Sequence, residues 1–463
     1  MTFRKGLYVL TFLVLTGVGI VSCVGVSNSD LTRSPRGHPE PTAQPSVTLS
    51  TEEAAVSTTS SASTAPPAST GILTPTTPAG TATPTALPAT GLTIQCLDVA
   101  ASLTSDQSHS GVIVLRDLST EQLLALEAAQ PPATIGAQGS DRLFDPTVSP
   151  QGRFLAYRRV KYDTQGDIVA RDLEIVDADG AVRASLPWQK DWAGFHWLDE
   201  ERLVILVAST NLLERESSLS YLVVFPFTGQ QEPITATPPD VYDIDPVPYW
   251  NGWGPQVYEP TLTRVAYLQV VEGIEWAYAL WDRQSAQTLV SFRTFDPERQ
   301  PVWSPGATQF VLAGNPIENR AWLKFELYAF DRAGGMRKLT NLTAHYPNTY
   351  IQSYSWSPDE RYIAFWLNTD LQPDQDQYFG QQSLAVLDTQ TLQVTNYCLP
   401  GDFSTSRAVL VPAPIWSPDS RQLLVENRYS EQASRVLLVD LVRNFAAQIA
   451  DNAEPVGWMV SGP

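Results

Sequence analysis

The chain has 463 residues, 49 acidic and 30 basic, and a formal charge of −19 at pH 7. That balance argues against nucleic-acid binding through phosphate contacts and against lying flat on an anionic membrane, and its plain consequence is solubility. Thirteen Trp, 17 Tyr and 16 Phe are ample material for an aromatic-rich β core.

In chain order the first element is an export signal. Arg4 and Lys5 precede an apolar run from Leu7 to Val21, too short and too abruptly ended for a typical spanning helix. The run closes on Ile20-Val21-Ser22-Cys23, which resembles the bacterial lipobox of two aliphatic residues, a small residue and Cys. The resemblance implies that the chain is cut before Cys23 and that the Cys23 thiol carries a diacylglycerol. Each buried methylene of such an anchor contributes about 0.8 kcal/mol. The alternatives are an ordinary signal peptide with an incidental Cys and an uncleaved anchor. Losing Arg4 and Lys5 from a chain of charge −19 leaves a mature chain of −21.

Residues 23–92 read as a disordered linker. Between Pro41 and Thr90, Ser, Thr, Pro and Ala fill 39 of 50 positions, with Glu52 and Glu53 the only charges and no aromatic. Such a stretch cannot bury enough apolar surface to offset its ordering entropy, and its prolines keep it extended. It suits a tether that holds a domain away from a membrane.

Residues 93–463 carry a repeat. The clearest copies are Tyr354-Ser-Trp356-Ser-Pro358-Asp-Glu-Arg-Tyr-Ile-Ala-Phe365 and Pro414-Ile-Trp416-Ser-Pro418-Asp-Ser-Arg-Gln-Leu-Leu-Val425. Others centre on Trp303-Ser-Pro305 and Val148-Ser-Pro150, and degraded copies on Trp197-Leu198 and Tyr258-Glu259-Pro260, with a last fragment at Pro455-Val-Gly-Trp458. Aligned on the Ser, the copies fall at 149, 198, 259, 304, 357, 417 and 459, a period near 50. An aromatic ends a short strand, Ser-Pro-Asp makes a tight turn, and a β-rich run follows. A third strand, such as Glu326-Leu-Tyr-Ala-Phe330, mostly ends in Asp, and a fourth follows. Short strands at this period, without helical patterning, are the signature of propeller blades.

These motifs resemble the PD40 (WD40-like) repeat of TolB-type β-propellers over about residues 144–458. The resemblance implies an all-β propeller of four-stranded blades in a family whose members contact other envelope proteins. Six units are complete. Residues 93–98, Val112–Arg116 and Leu123–Glu127 read as later strands of a blade lacking its first, and Pro455–Val460 as a first strand lacking the rest. Joined, they close a seventh blade and hide the sheet edges. The alternative is six blades with the N-terminal strands packed elsewhere.

Cys96 and Cys398 are the thiols left after Cys23. They can pair outside the cytoplasm or stay free. If they pair, residues 93–98 are not a regular strand of the seventh blade.

No catalytic constellation stands out. His38 lies in the linker, His109 and His345 lie in loop-like sequence, and His196 beside Trp197 suits a structural role. No Gly-x-Ser-x-Gly elbow or zinc-ligand spacing occurs. Asp370, Asp374 and Asp376 could offer oxygens to Ca²⁺, without the glycine and glutamate of an EF-hand, and a solvated loop is the simpler reading. An insertion over residues 235–256 carries Asp243, Tyr249, Trp250 and Trp253, which suit a partner surface unless the aromatics fold back on the propeller.

Two functions follow as expectations. One is a lipid-anchored, extracytoplasmic binding or scaffolding module with a protein or glycan ligand at a propeller face and no cofactor. The other is an extracytoplasmic carbohydrate-active enzyme using carboxylates of the central funnel. For the anchor, Cys23→Ser is expected to release or mislocalise the protein; a variant that stays wholly in the membrane fraction, unprocessed, would refute the lipobox reading.

Overall fold

The computed structural model of the chain describes residues 91–103, 109–127, 130, 132–136, 141–211, 216–239, 241, 256–271, 275–293, 300–315, 324–369, 382–400, 412–430 and 433–460. Cys23, the linker up to residue 90, Asp243, Tyr249, Trp250, Trp253, Asp370, Asp374 and Asp376 lie outside them.

The described residues form seven sheets of four antiparallel strands, with a fifth strand added to two of them. Blade 1 runs Arg142–Val148, Leu155–Tyr162, Ile168–Val176, Val182–Pro187. Blade 2 runs Trp192–Trp197, Leu203–Asn211, Glu216–Phe225, Gln230–Pro233, and blade 3 runs Gln256–Tyr258, Arg264–Val271, Glu275–Asp282, Gln287–Arg293. Blade 4 is Val302–Trp303, Gln309–Gly314, Glu326–Asp331, Met336–Lys338. Blade 5 is Tyr350–Trp356, Tyr362–Asn368, Gln382–Asp388, Gln393–Pro400, and blade 6 is Ile415–Trp416, Gln422–Ser430, Ala433–Asp440, Phe445–Asp451. Blade 7 joins the two ends of the domain: Ala453–Met459 pairs with Val112–Asp117, followed by Leu123–Leu126 and Ala133–Ile135. The fold is a seven-bladed β-propeller, and the six-bladed alternative is excluded.

The strands are apolar on both faces because each blade lies between two others. In Leu203-Val-Ile-Leu-Val207, Leu203, Ile205 and Val207 pack with Ala156, Leu173 and Ile175 of blade 1. The alternating Val204 and Leu206 pack with Val265 and Tyr267 of blade 3. The period of two thus feeds two cores from one strand. Seven such cores occur among the described residues, one for each interface of the ring. Each fully buried Leu, Ile, Val or Phe contributes about 1.5–3 kcal/mol.

The repeat motif works twice over. Within a blade, the turn Ser accepts a hydrogen bond from the backbone N–H five residues on: Phe154 to Ser149 at 3.0 Å, Tyr362 to Ser357 at 2.8 Å and Gln422 to Ser417 at 2.9 Å. Between blades, the Trp before the Ser donates its indole N–H to a carbonyl of the preceding blade, two residues before that blade's Ser position. Trp197 reaches Thr147, Trp303 reaches Val257 and Trp356 reaches Val302, all at 3.1 Å, and Trp416 reaches Ser355 at 3.2 Å. A third contact links neighbouring turns: the N–H of Gln151 donates to Glu200, that of Gly306 to Glu360, and that of Asp359 to the Ser420 hydroxyl.

One expectation is corrected. Residues 93–98 are not part of the closing blade. Leu92–Ile94 pairs in parallel with the outer strand Gln393–Pro400 of blade 5, and Val99–Ala100 pairs in parallel with Phe445–Asp451 of blade 6. Cys96 and Cys398 between them are joined by a disulfide, Cα to Cα 4.7 Å, spanning 302 residues. The outer place in blade 7 belongs instead to Ala133–Ile135, a three-residue strand after Pro131-Pro132 that is too short to leave a period-two signal.

His196, in the inner strand of blade 2, is only 4 % exposed, and burial pushes its pKa down to about 4 from 6.5. The native state therefore keeps it neutral where the unfolded chain takes up a proton. Its contribution is full above pH 6.5 and is lost as pH falls from 6.5 towards 4, on the order of 3 kcal/mol in all. Acid titration of unfolding is expected to show a shallower loss over that window in His196→Phe than in the parent. Separately, Cys96→Ser with Cys398→Ser is expected to lower stability by about 2–5 kcal/mol. A urea midpoint unchanged from that of the oxidised parent would mean the two strap strands hold without the bond.

Candidate binding cleft

Because each blade is antiparallel, the turns between its first and second strands and between its third and fourth strands leave on the same face. The Ser-Pro turns and the Asp-headed turns therefore share one face of the ring. The described strand ends that flank Asp243–Trp253 (Val241 and Gln256) and the acidic loop (Asn368 and Gln382) lie at the opposite face.

On the Ser-Pro face the Asp-headed turns are the second repeated device. In five blades an Asp at the end of the third strand caps backbone N–H groups of the turn with Oδ1: Asp177, Asp282, Asp331, Asp388 and Asp440. Blade 7, whose third strand Leu123–Leu126 is followed by Glu127, and blade 2 depart from this. In blade 2 the departure reshapes the turn. Phe225 takes the Asp position in Phe225-Pro-Phe-Thr-Gly229, and the turn closes through the Gly229 N–H on the Phe225 carbonyl at 2.8 Å, with Gly229 at φ 75°. Two residues past the head, where the Asp-headed turns carry Asp179, Gln284, Ala333, Gln390 and Val442, blade 2 exposes Phe227 to 40 %.

Phe227 lines a cleft of about 710 Å³ between blades 1 and 2. Its ring lies 4.8 Å from that of Phe154, tilted by 51°, and Phe154 in turn stacks on Trp197 at 6.4 Å. Arg153, Asp179, Glu201 and Val460 complete the rim. The volume falls in the usual range of ligand sites.

The walls are fixed by bonds to neighbouring blades. The Ser149 hydroxyl donates to Glu200 at 2.8 Å, and the Val460 N–H donates to the Gly152 carbonyl at 2.8 Å. Gly152 has φ 78°, and a Cβ there would lie 2.8 Å from the Trp458 carbonyl oxygen, so the position tolerates only glycine. Asp177 accepts from Asp179 and Ala181 and pairs with Arg183.

The charges divide into spent and unspent. Arg183 is held by Asp177, and the Arg153 guanidinium sits over the Phe154 ring, 5.4 Å from its centroid. Glu200 is 7 % exposed and committed to the blade 1 turn. The carboxylates of Asp179 and Glu201 make no hydrogen bond or ion pair with the described residues. Chemically the cleft offers an aromatic floor, locked walls and two free anions.

Of the residues singled out by sequence, Cys96 and Cys398 are brought together, and His196 is buried inside blade 2. Asp243, Tyr249, Trp250, Trp253 and the Asp370, Asp374, Asp376 set are not described. Among the described residues no group of three or more His, Cys, Asp or Glu is placed to hold a metal ion. Phe154, Asp179, Glu201 and Phe227 escaped the sequence reading; the signal that could have found them is Phe225 standing where the third strand ends in Asp in blades 1, 3, 4, 5 and 6.

No protein-family model and no curated protein matches the chain. Among solved structures it is similar to TolB from Acinetobacter baumannii, at 14 % identity over 75 % of this chain and 67 % of that one, with a TM-score of 0.37. It is similar to the β-propeller domain of the Trilobed protease from Pyrococcus furiosus at 12 % identity over 67 % and 85 % of the two chains, TM-score 0.41. It is also similar to an oligogalacturonate lyase in complex with manganese at 10 % identity over 76 % and 86 %, TM-score 0.45. At these identities and TM-scores the likenesses assign no activity to the chain.

Proposed function

We propose that the chain is an exported, lipid-anchored binding module that holds a ligand on the Ser-Pro face of its propeller. Export and anchoring rest on Arg4, Lys5 and the Ile20-Val21-Ser22-Cys23 signal. The binding reading rests on one observation: the ring breaks its own repeat in blade 2, and there it exposes Phe227 in a cleft whose walls are locked by neighbouring blades. Local rules that natural proteins break without gain to the fold mark functional positions. Phe227 covers the edge of the core through Phe154 yet leaves 40 % of itself exposed, and rigid walls lower the cost of ordering a ligand.

The test replaces Phe227 with p-benzoylphenylalanine in the anchored protein, in cells that make it, and irradiates. Val442 is the matched control, since it holds the same turn position in blade 6 and is 64 % exposed. A discrete adduct from position 227, absent from position 442, is the expected result. Equal adducts from both positions would reduce the cleft to ordinary surface. No adduct from either, with glycan fragments released by the purified protein, would turn the assignment to the carbohydrate-active enzyme.

A further inference from the structure

The geometry points to the chemistry of the occupant: the cleft between blades 1 and 2 takes a basic peptide segment of a partner protein, with an aromatic or aliphatic side chain on the Phe154–Phe227 pair and Lys or Arg beside it. This rests on the binding reading above.

Three observations carry it. The floor is apolar, with Phe227 and Val460 exposed and Phe154 half-buried beside them, which suits an apolar anchor rather than a fully hydrated ligand. Arg183 is paired with Asp177 and Arg153 lies over the Phe154 ring, and the four carboxylates that line the cleft, Asp177, Asp179, Glu200 and Glu201, outnumber these two cations. The unmet charge is therefore negative, in a chain whose net charge of −19 adds a long-range attraction for cations. The position of Arg153 also shows that the Phe154 face accepts a cation at contact distance.

The anchor and the charge occupy neighbouring turns. Asp179 lies in the third-to-fourth-strand turn of blade 1, Glu201 in the first-to-second-strand turn of blade 2, and Phe227 in the next turn of blade 2. An extended segment crossing from one blade to the other meets carboxylate and ring together. An acidic segment would leave Asp179 and Glu201 unmet.

The experiment measures fluorescence anisotropy of a labelled Lys-Phe-Lys-Phe-Lys peptide against the whole mature protein with its disulfide intact, and of a Glu-Phe-Glu-Phe-Glu peptide as the reverse-charge control. The Lys peptide is expected to bind saturably and at least about tenfold more tightly than the Glu peptide, with the difference shrinking as salt rises. Phe227→Ser is expected to weaken the Lys peptide by about tenfold. Asp179→Asn with Glu201→Gln, which leaves shape and packing in place, is expected to weaken it comparably and to flatten the salt dependence. Thermal unfolding identical to the parent shows that the exposed changes leave the fold intact. Equal affinity for the two peptides, affinity unchanged in both variants, or no saturable binding of the Lys peptide overturns the inference. The cellular adduct at position 227 separates the two levels: with the adduct and no preference for the Lys peptide, the cleft binds something else. Without the adduct, the binding reading itself fails.

Discussion

Four of the seven blade interfaces are set by an indole N–H that donates across them. The first strands of blades 4 and 6, Val302–Trp303 and Ile415–Trp416, have only two residues, so little backbone pairing holds the inner edge of those blades. The Trp that ends such a strand, Trp303 or Trp416, fills the gap between blades and spends its one polar atom on the preceding blade's backbone. Each bond contributes only about 1 kcal/mol net, but an indole buried without it costs about 1–3 kcal/mol, so the bond selects one spacing and one orientation between blades. The turn Ser then fixes the strand that follows, and contacts such as Glu200 to Gln151 relay position from one turn to the next. Repetition converts a modest interaction into ring geometry.

The degraded copies show what the motif is for. Blade 3 has Glu259 where others have Ser. Its carboxylate accepts the Arg264 N–H at 2.9 Å, the same bond five residues on that the Ser hydroxyl makes elsewhere. The burial of a full charge is offset by Arg332 of blade 4 at 2.8 Å and by the Thr261 and Thr263 hydroxyls. Blade 2 has Leu198, which cannot make that bond, and keeps the turn through Asp199 and Arg202, whose guanidinium also reaches the Pro260 carbonyl of blade 3. The frame is thus more tolerant than the letters of the motif. What blade 2 does not compensate is the exposed Phe227, and that is why the departure there has a different meaning from the one in blade 3.

The blades were legible because their signal is local and repeated: Trp-Ser-Pro at a period near 50, with Val, Ile and Leu runs between turns. Closure was legible because the two incomplete ends were complementary. The strap was not, since Leu92–Ile94 reads like any other edge strand and only its pairing partner, 302 positions away at Cys398, distinguishes it. The cleft was hidden for a similar reason. Phe154 reads as a strand aromatic and Phe227 as a turn residue; they become a pair only once blades 1 and 2 are set side by side. Asp179 and Glu201 look like their many acidic neighbours until the partners of those neighbours are known.

The strap also decides how the propeller carries force. Any pull applied through the residues before Leu92 meets the parallel pairing with blade 5 first and then the covalent link from Cys96 to Cys398. The load leaves the main chain at that link and enters the outer strand of blade 5. Residues from Leu97 onward, Val99–Ala100 on blade 6 and the Val112–Asp117 strand that closes the ring against Ala453–Met459, lie beyond that point and stay slack. The seam of the propeller, its one non-covalent join between chain ends, is therefore kept out of the line of tension.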